Sequence, residues 1–303
     1  MKAGKTIRLM VYFIVVLSFI AALSGMLSNK GPGEYNYQSI RGQSIRIYGK
    51  GLYQHMSSDV AIQGIAQDYV TLLVGIPMLL ISLFLAGRGS LKGKFMLTGT
   101  LGYFMVTYIF YMLMGMYNEL FLVYVSLASL GFYAFLLSVL SLWQENPIIY
   151  FENSTPVGFS GGFLIFCSIA IGMLWLSVVV PPLLNGTLYP VALEHYTTLI
   201  VQGMDLSILL PGSFIAGWLL KKRRPSGYLL APVYMVFLSI LMTALTAKII
   251  GMSLNGVNAG PALVIIPLFN AVSIVCAVLL LRAISRIKDK SRSFSEMTVE
   301  NVK

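Results

Sequence analysis

Two aspartates, at positions 68 and 205, interrupt long apolar segments of the sequence. An ionised carboxylate at the centre of a membrane-spanning helix costs about 3 kcal/mol on insertion scales, so such residues usually face protein or water. Gln202 precedes Asp205 by three residues, and Thr71 follows Asp68 at the same spacing. Because residues three apart share a helical face, the pattern predicts two polar faces, each with one carboxylate and one neutral hydrogen-bonding group.

Further polar side chains stand near the same ends of the apolar segments. Glu194 and His195 precede the segment that carries Asp205, and Lys248 lies two residues before the end of a later one. We predict an outward-facing polar pocket that binds a small solute or ion, lined by Asp68, Thr71, Gln202, Asp205, His195, Glu194 and Lys248. The alternative is that the aspartates only hold neighbouring helices together, while Lys248 extends its ammonium into water.

Metal, cofactor and catalytic sites are not predicted. The two histidines, His55 and His195, could join nearby carboxylates in a mixed metal site, but catalytic zinc uses three protein ligands and no paired-histidine spacing is present. No phosphate-binding glycine motif follows a predicted strand. Cys167 and Cys276 lie in apolar runs and are predicted to be buried free thiols.

The composition requires a membrane around these residues. The chain has 303 residues, of which 57% are hydrophobic and 11% charged, and its mean hydropathy is +0.81. A water-soluble core of this size cannot bury so much apolar surface, so lipid is the predicted solvent. The net charge of +10 is concentrated in short segments beside apolar runs, which orients spans and argues against nucleic acid as a partner.

The predicted fold is an all-α polytopic transmembrane helix bundle of about eight spans. Each apolar segment can cross about 30 Å of hydrocarbon, and helices satisfy every backbone amide within the segment. The spans are expected near residues 9–26, 66–87, 94–116, 119–143, 159–182, 199–220, 227–250 and 261–283. They form one transmembrane domain over 1–283, with an external segment at 28–65, where Ile45 and Ile47 alternate as in a strand. A mobile cytoplasmic tail follows at 284–303.

Basic residues predict the orientation. All but five of the 21 basic residues stand before the first span, in 88–94, in 221–224 or from Arg282 onward, which predicts that both chain ends are cytoplasmic. The loop at 144–158 would also be cytoplasmic, yet it carries Glu145 and Glu152 and no basic residue. It is therefore the least supported loop of this topology.

The sequence also contains a candidate internal repeat. A shift of 134 positions matches two prolines, two basic residues and two glycines, namely Pro77 with Pro211, Arg88 with Lys222 and Gly93 with Gly227. The matched segments cross the membrane in the same sense, so the shift predicts a parallel duplication of four-span halves. Three matches can also arise by chance.

Four short motifs resemble those of a group of prokaryotic multi-pass membrane proteins with no known activity. They are Gly49-Lys50-Gly51-Leu52-Tyr53, Ala66-Gln67-Asp68, Gly89-Ser90-Leu91-Lys92-Gly93 and Leu193-Glu194-His195-Tyr196-Thr197-Thr198-Leu199. The resemblance covers residues 40 to 270. It implies the plasma membrane of a bacterium or archaeon, and it implies no substrate or site.

Three classes of function fit these observations. The favoured class is a transporter, channel or receptor for a small solute or ion, because repeat-built bundles often hold polar groups between their halves. The second is a non-enzymatic membrane subunit or regulator that needs a membrane protein partner, as the short loops suggest. The third, and least favoured, is an intramembrane enzyme that uses the outer carboxylates and His195 as acid and base.

Overall fold

The computed structural model describes residues 2–152, 154–257 and 260–284. They form ten α-helices and one β-hairpin. The helices are α1 (Lys2–Leu27), α2 (Ser58–Val70), α3 (Ile76–Gly87), α4 (Leu91–Met114), α5 (Phe121–Gln144), α6 (Val157–Leu184), α7 (Ile200–Met204), α8 (Leu210–Lys221), α9 (Pro225–Leu254) and α10 (Ala262–Arg282). The strands are β1 (Tyr35–Gln38) and β2 (Ser44–Ile47).

Eight continuous helical segments are long and apolar enough to cross a membrane, which confirms the predicted all-α fold of eight spans. Two of them join helices: α2 continues into α3, and α7 into α8. Most boundaries agree with the prediction within a few residues. The first helix begins at Lys2 rather than near 9. The second span begins at Ser58 rather than near 66. Its first two turns carry polar residues that a search for apolar runs does not detect.

The central helices are α4 and α9. In the most apolar window of each, 61% of the residues are buried within the protein, compared with 17 to 33% in the other six spans. The two helices approach closely at Gly99, where an added Cβ would lie 2.7 Å from the Val233 carbonyl oxygen. The outer spans therefore present most of their apolar surface to lipid.

The loop at 144–158 packs at the end of the bundle that holds the basic loops. Glu145 forms an ion pair with Lys94 at the start of α4. The Glu152 amide donates to the carbonyl of Ala283, just after α10. The loop thus lies on the same side as the 88–94 turn and the end of the last span, as the topology requires. Apart from Ile284, the predicted tail lies outside the described residues.

The hairpin covers the opposite end of the bundle. Its strands are antiparallel, with Tyr35 opposite Ile47, and Ile45 and Ile47 are buried, which confirms the predicted strand. From the turn of the hairpin, Arg41 donates to the carbonyls of Glu194 and Tyr196 at 2.9 and 2.8 Å. The hairpin therefore fixes the loop that precedes α7.

Matched irregularities occur in the second and sixth spans. A π-helical turn occupies Thr71–Gly75 in one and Asp205–Leu209 in the other, a displacement of 205 − 71 = 134 positions. A proline follows each turn as the second residue of α3 or α8. These turns support the predicted duplication, because π turns are rare and the two lie at positions that the shift matches.

The matched glycines have matching environments as well. A Cβ at Gly93 would lie 2.6 Å from the Ala86 amide nitrogen, and one at Gly227 would overlap the backbone of Leu219 and Leu220. In both halves the glycine therefore lets a central helix begin directly against the end of the helix before it. The shift of 134 positions matched these two glycines, and their close backbone contacts explain why both positions carry glycine.

Candidate functional site

Asp68 lies in a buried hydrogen-bonded cluster between α2, α4 and the external segment. Its exposed fraction is 4%. Tyr53 Oη donates to Asp68 Oδ2 at 2.5 Å, and Tyr111 Oη lies 2.9 Å from Asp68 Oδ1 and 3.0 Å from the carbonyl oxygen of Gly64. Both carboxylate oxygens thus have a phenol partner, which offsets part of the cost of removing the carboxylate from water.

Tyr53 closes this cluster from the outer side. It belongs to the 3₁₀ turn Gly51–Tyr53, outside the membrane-spanning helices. Burial, and then the nearby Asp68 carboxylate, raise the pKa of Tyr53 well above its usual value, so the phenol remains a donor at neutral pH. On the other side of the carboxylate, a Cβ at Gly25 of α1 would overlap Asp68 Oδ2. Asp68 Oδ2 therefore packs directly against the backbone of α1 at Gly25.

A second set of hydrogen bonds continues along the same face of α2. Gln67 Nε2 donates to Tyr103 Oη at 2.7 Å, and the Thr71 hydroxyl lies 2.9 Å from the same phenol. Gln67, Thr71 and Tyr103 are all buried. Asp68 and Thr71, predicted as ligand-binding residues, are thus positioned by α4 tyrosines, and neither lines the outer cavity described below.

Asp205 opens the second π turn and contacts α6. Trp175 Nε1 donates to Asp205 Oδ2 at 2.7 Å, so the carboxylate faces the bundle. Asp205 remains partly accessible, in contrast to Asp68. The Leu209 carbonyl at the end of the turn accepts a hydrogen bond from Tyr234 Oη at 2.6 Å, and the next carbonyl accepts one from Ser168. Side chains of α6 and α9 thus hold the end of the irregular turn.

A cavity of about 310 Å³ lies between the end of α6, the loop that precedes α7, and the first turns of the sixth span. It is lined by apolar residues and three polar ones, Thr197, Thr198 and Gln202. Its wall includes Leu206, the residue directly after Asp205. The Trp175–Asp205 pair therefore lies beside the cavity without lining it.

Lys248 of α9 is a cation within a membrane-spanning helix. It is half-buried and interacts electrostatically with Asp205 and Asp68. Among the described residues, its ammonium forms no ion pair within 4 Å. Lys248 also shares a face with Gly251, whose added Cβ would contact Ile62 and Ala66 of α2. The lysine thus lies where the second half of the chain meets the first.

Glu194 and His195 belong to the outer cap rather than to the cavity wall. His195 Nε2 is 3.0 Å from the carbonyl oxygen of His55, and its ring packs against Tyr37 and Tyr196. Glu194 adopts φ 49° and ψ −124°, a conformation that costs a non-glycine residue about 1–3 kcal/mol. None of the hydrogen bonds of the described residues joins His195 to a carboxylate.

The two cysteines and the candidate metal ligands are the remaining groups that the sequence singled out. Cys167 and Cys276 are buried free thiols, as predicted. In the described part of the chain, no three side chains of His, Cys, Asp or Glu come together as metal ligands.

Sequence reasoning missed the aromatic partners of both aspartates. Tyr53 and Tyr111, the partners of Asp68, lie 15 and 43 positions from it, and Trp175 lies 30 positions before Asp205. A weak signal existed in α4, which carries tyrosines at 103, 108 and 111. Tyrosine is also a common interfacial residue in membrane helices, so this spacing alone did not distinguish a buried donor.

The fold and the site define the class: a multi-pass α-helical membrane protein that holds charged residues between its spans. No family model matches the chain, and no curated protein or solved structure matches it either.

Proposed function

We propose that the protein is a transporter for a small solute, which enters the outer cavity and reaches Asp205. The observation that supports this most is the cavity itself, whose wall includes Gln202, Gly203 and Leu206, close neighbours of Asp205 in the sixth span. A volume of about 310 Å³ is at the lower end of the range for small-molecule sites. Carboxylates within spans mark solute and ion pathways, and repeat-built transporters hold such groups between their halves.

The lining indicates the chemistry of the solute. Most of the wall is aliphatic, and the polar groups Thr197, Thr198 and Gln202 are few. Asp205 adds a hydrogen-bond acceptor beside this wall, and Lys248 interacts with it electrostatically. We therefore propose a solute with an apolar body and one amine or hydroxyl head directed at Asp205.

The two π turns support transport over simple binding. A π turn interrupts the regular ladder of backbone hydrogen bonds, and such interruptions occur often at functional sites. In the first half, the segment before the turn is fixed by the tyrosines around Asp68. In the second half, the turn begins at Asp205 and adjoins the cavity. We propose that the sixth span changes shape when solute binds, while the second span stays fixed.

We also propose that the protein resides in the cytoplasmic membrane of a prokaryote with both ends inside. The basic loops support this orientation, because they gather at one end of the bundle. The hairpin, with Ile40 at its exposed turn, would then face outward, and the Lys222 turn would face the cytoplasm.

Cysteine labelling should test the orientation. We expect Ile40→Cys to react with an impermeant maleimide on intact cells, and Lys222→Cys to react only after permeabilisation. Both positions are exposed, whereas the native thiols are buried and should give a low background. Labelling of Lys222→Cys from outside would reverse the proposed topology.

Trp175 offers a direct measurement of solute binding. Trp143 and Trp218 are about half exposed on the lipid side, so replacing both by Phe should leave a folded protein with Trp175 as its single indole. We expect amines and alcohols with short apolar chains to change its fluorescence. Asp205→Asn should weaken the binding of the amines about tenfold or more, because a hydrogen bond to a charged group contributes about 1.5–3 kcal/mol.

The matched control is Ser207→Ala in the same π turn, since the Ser207 hydroxyl donates to the Gly203 carbonyl and is exposed. We expect this variant to bind the amines as tightly as the parent protein does. Gln202→Leu, in the cavity wall, should weaken binding. Equal responses from the parent, Asp205→Asn and Gln202→Leu proteins would contradict the proposed site. Reconstituted vesicles should then show uptake of the solutes that bind.

A second candidate function is that of a membrane subunit with a protein partner. It is favoured by α6 and α10, the spans with the lowest buried shares, 17 and 22% in their apolar windows. Their exposed faces could contact lipid or another membrane protein. Uptake by vesicles that contain this chain alone would favour the transporter. Uptake that appears only after a co-purified membrane protein is added would favour the subunit.

A further inference from the structure

A second cavity lies at the opposite end of the bundle, between α1, α3, α4 and α5. Its volume is about 270 Å³. Three basic residues line it, Lys5 and Arg8 from α1 and Lys94 from α4, together with the hydroxyl residues Ser138 and Ser141 of α5. The cavity is remote from Asp205, so the proposed transport function does not account for it.

The cavity carries an excess of positive charge. Lys94 pairs with Glu145, but no acidic residue lines the cavity itself. Lys5 and Arg8 are three residues apart on α1 and so share a face, where like charges disfavour the helix. An anion bound between them would relieve this repulsion.

Its depth corresponds to the headgroup region of one leaflet. Gly87 of the lining is the last residue of α3, and Lys94 lies in the first turn of α4. Trp143, two residues beyond Ser141 on α5, is 54% exposed. Tryptophan is enriched where the hydrocarbon meets the headgroups. Arg8 extends toward Gly87, whose added Cβ would lie 3.7 Å from Arg8 Nη2, so a larger side chain there would crowd the guanidinium.

We propose that this cavity binds the phosphate of an anionic phospholipid in the leaflet on the side of the basic loops. The guanidinium of Arg8 is suited to two parallel hydrogen bonds to phosphate oxygens. Lys5 supplies a second charge, and the hydroxyl of Ser141 can donate to a third oxygen. Basic pockets between spans on the cytoplasmic side recognise anionic headgroups in this way. The acyl chains would lie along the exposed apolar surface of α1.

The test uses the full-length protein in a neutral detergent, with dihexanoyl phosphatidylglycerol as the probe. We expect this lipid to raise the unfolding temperature and to remain bound in native mass spectra, while dihexanoyl phosphatidylcholine does neither. Lys5→Gln and Arg8→Gln should each weaken phosphatidylglycerol binding about fivefold, the effect of about 1 kcal/mol per basic residue. The controls are Lys222→Gln and Arg224→Gln, which remove exposed charges at the same end of the bundle but outside the cavity.

Two results would overturn the proposal. If the controls weaken phosphatidylglycerol binding as much as the cavity variants do, the attraction belongs to the general charge of this face. If inorganic phosphate stabilises the protein at the same concentration as the lipid, the occupant is a free anion. Should Arg8→Gln fail to fold, Lys5→Gln, at an exposed position in the first turns of α1, still gives the comparison.

Discussion

Replacing Gly25 with alanine is expected to destabilise the protein by about 3 kcal/mol or more, which is the upper range for overpacking a buried site. The new Cβ would overlap Asp68 Oδ2 and lie 2.9 Å from Tyr53 Oη. Neither group can withdraw easily, because Tyr53 and Tyr111 hold the carboxylate on both of its oxygens. Thermal unfolding of the purified protein in detergent would measure the loss.

The control for this substitution is Gly162→Ala in α6, where an added Cβ would meet no atom within 4 Å. Alanine is favoured over glycine within a helix by about 0.5–1 kcal/mol, so the control should be neutral or slightly stabilising. If Gly25→Ala unfolds at the same temperature as Gly162→Ala, Asp68 is not held against α1 as described. Gly25→Ala should leave Trp175 fluorescence responses intact at temperatures where the protein is folded.

We expect Gly227→Ala to destabilise the protein about as much as Gly25→Ala does, and Gly93→Ala slightly less. At Gly227 the added Cβ would overlap the backbone of Leu219 and Leu220, and at Gly93 it would lie 2.6 Å from the Ala86 amide nitrogen. A backbone cannot rotate away as a side chain can, so each substitution must separate a central helix from the helix before it. We expect a large fall in folded yield for both variants.

Gly158→Ala provides the matched control, since Gly158 also lies in the first turn of its helix but has no atom within 4 Å of an added Cβ. The duplication makes a more specific prediction. Gly93→Ala and Gly227→Ala should lower the folded yield by similar amounts. A protein that tolerates Gly93→Ala as well as Gly158→Ala, yet unfolds with Gly227→Ala, would show that the matched glycines have different roles.

Much of the fold follows from the sequence because the bilayer imposes a length and an apolar composition on each span. The start of the second span at Ser58 escaped this reasoning, since its first turns extend past the apolar run. The π turns could not be derived from propensity, although the paired prolines marked their positions. The strand at Ile45 and Ile47 was predictable from its period of two.

The site was less predictable, since it depends on contacts between distant segments. Asp205 and Gln202 were identified because polar residues are costly in a span. The same rule identified Asp68, but it could not separate a buried carboxylate held by tyrosines from a partly accessible one beside a cavity. Glu194 and His195 attracted attention by their residue types, yet the hairpin holds them in the cap, which no spacing within their own loop reveals.

The contrast between the two π turns has an evolutionary consequence. If the halves descend from one ancestral segment, the irregular turn was inherited twice, and then the copies diverged. In the first copy, aromatic residues sealed the carboxylate and gave that half the role of a scaffold. In the second, the carboxylate stands at Asp205, the position that matches Thr71 rather than Asp68, and it is partly accessible. One copy thereby became free to specialise, because the other had taken over the task of keeping the protein folded.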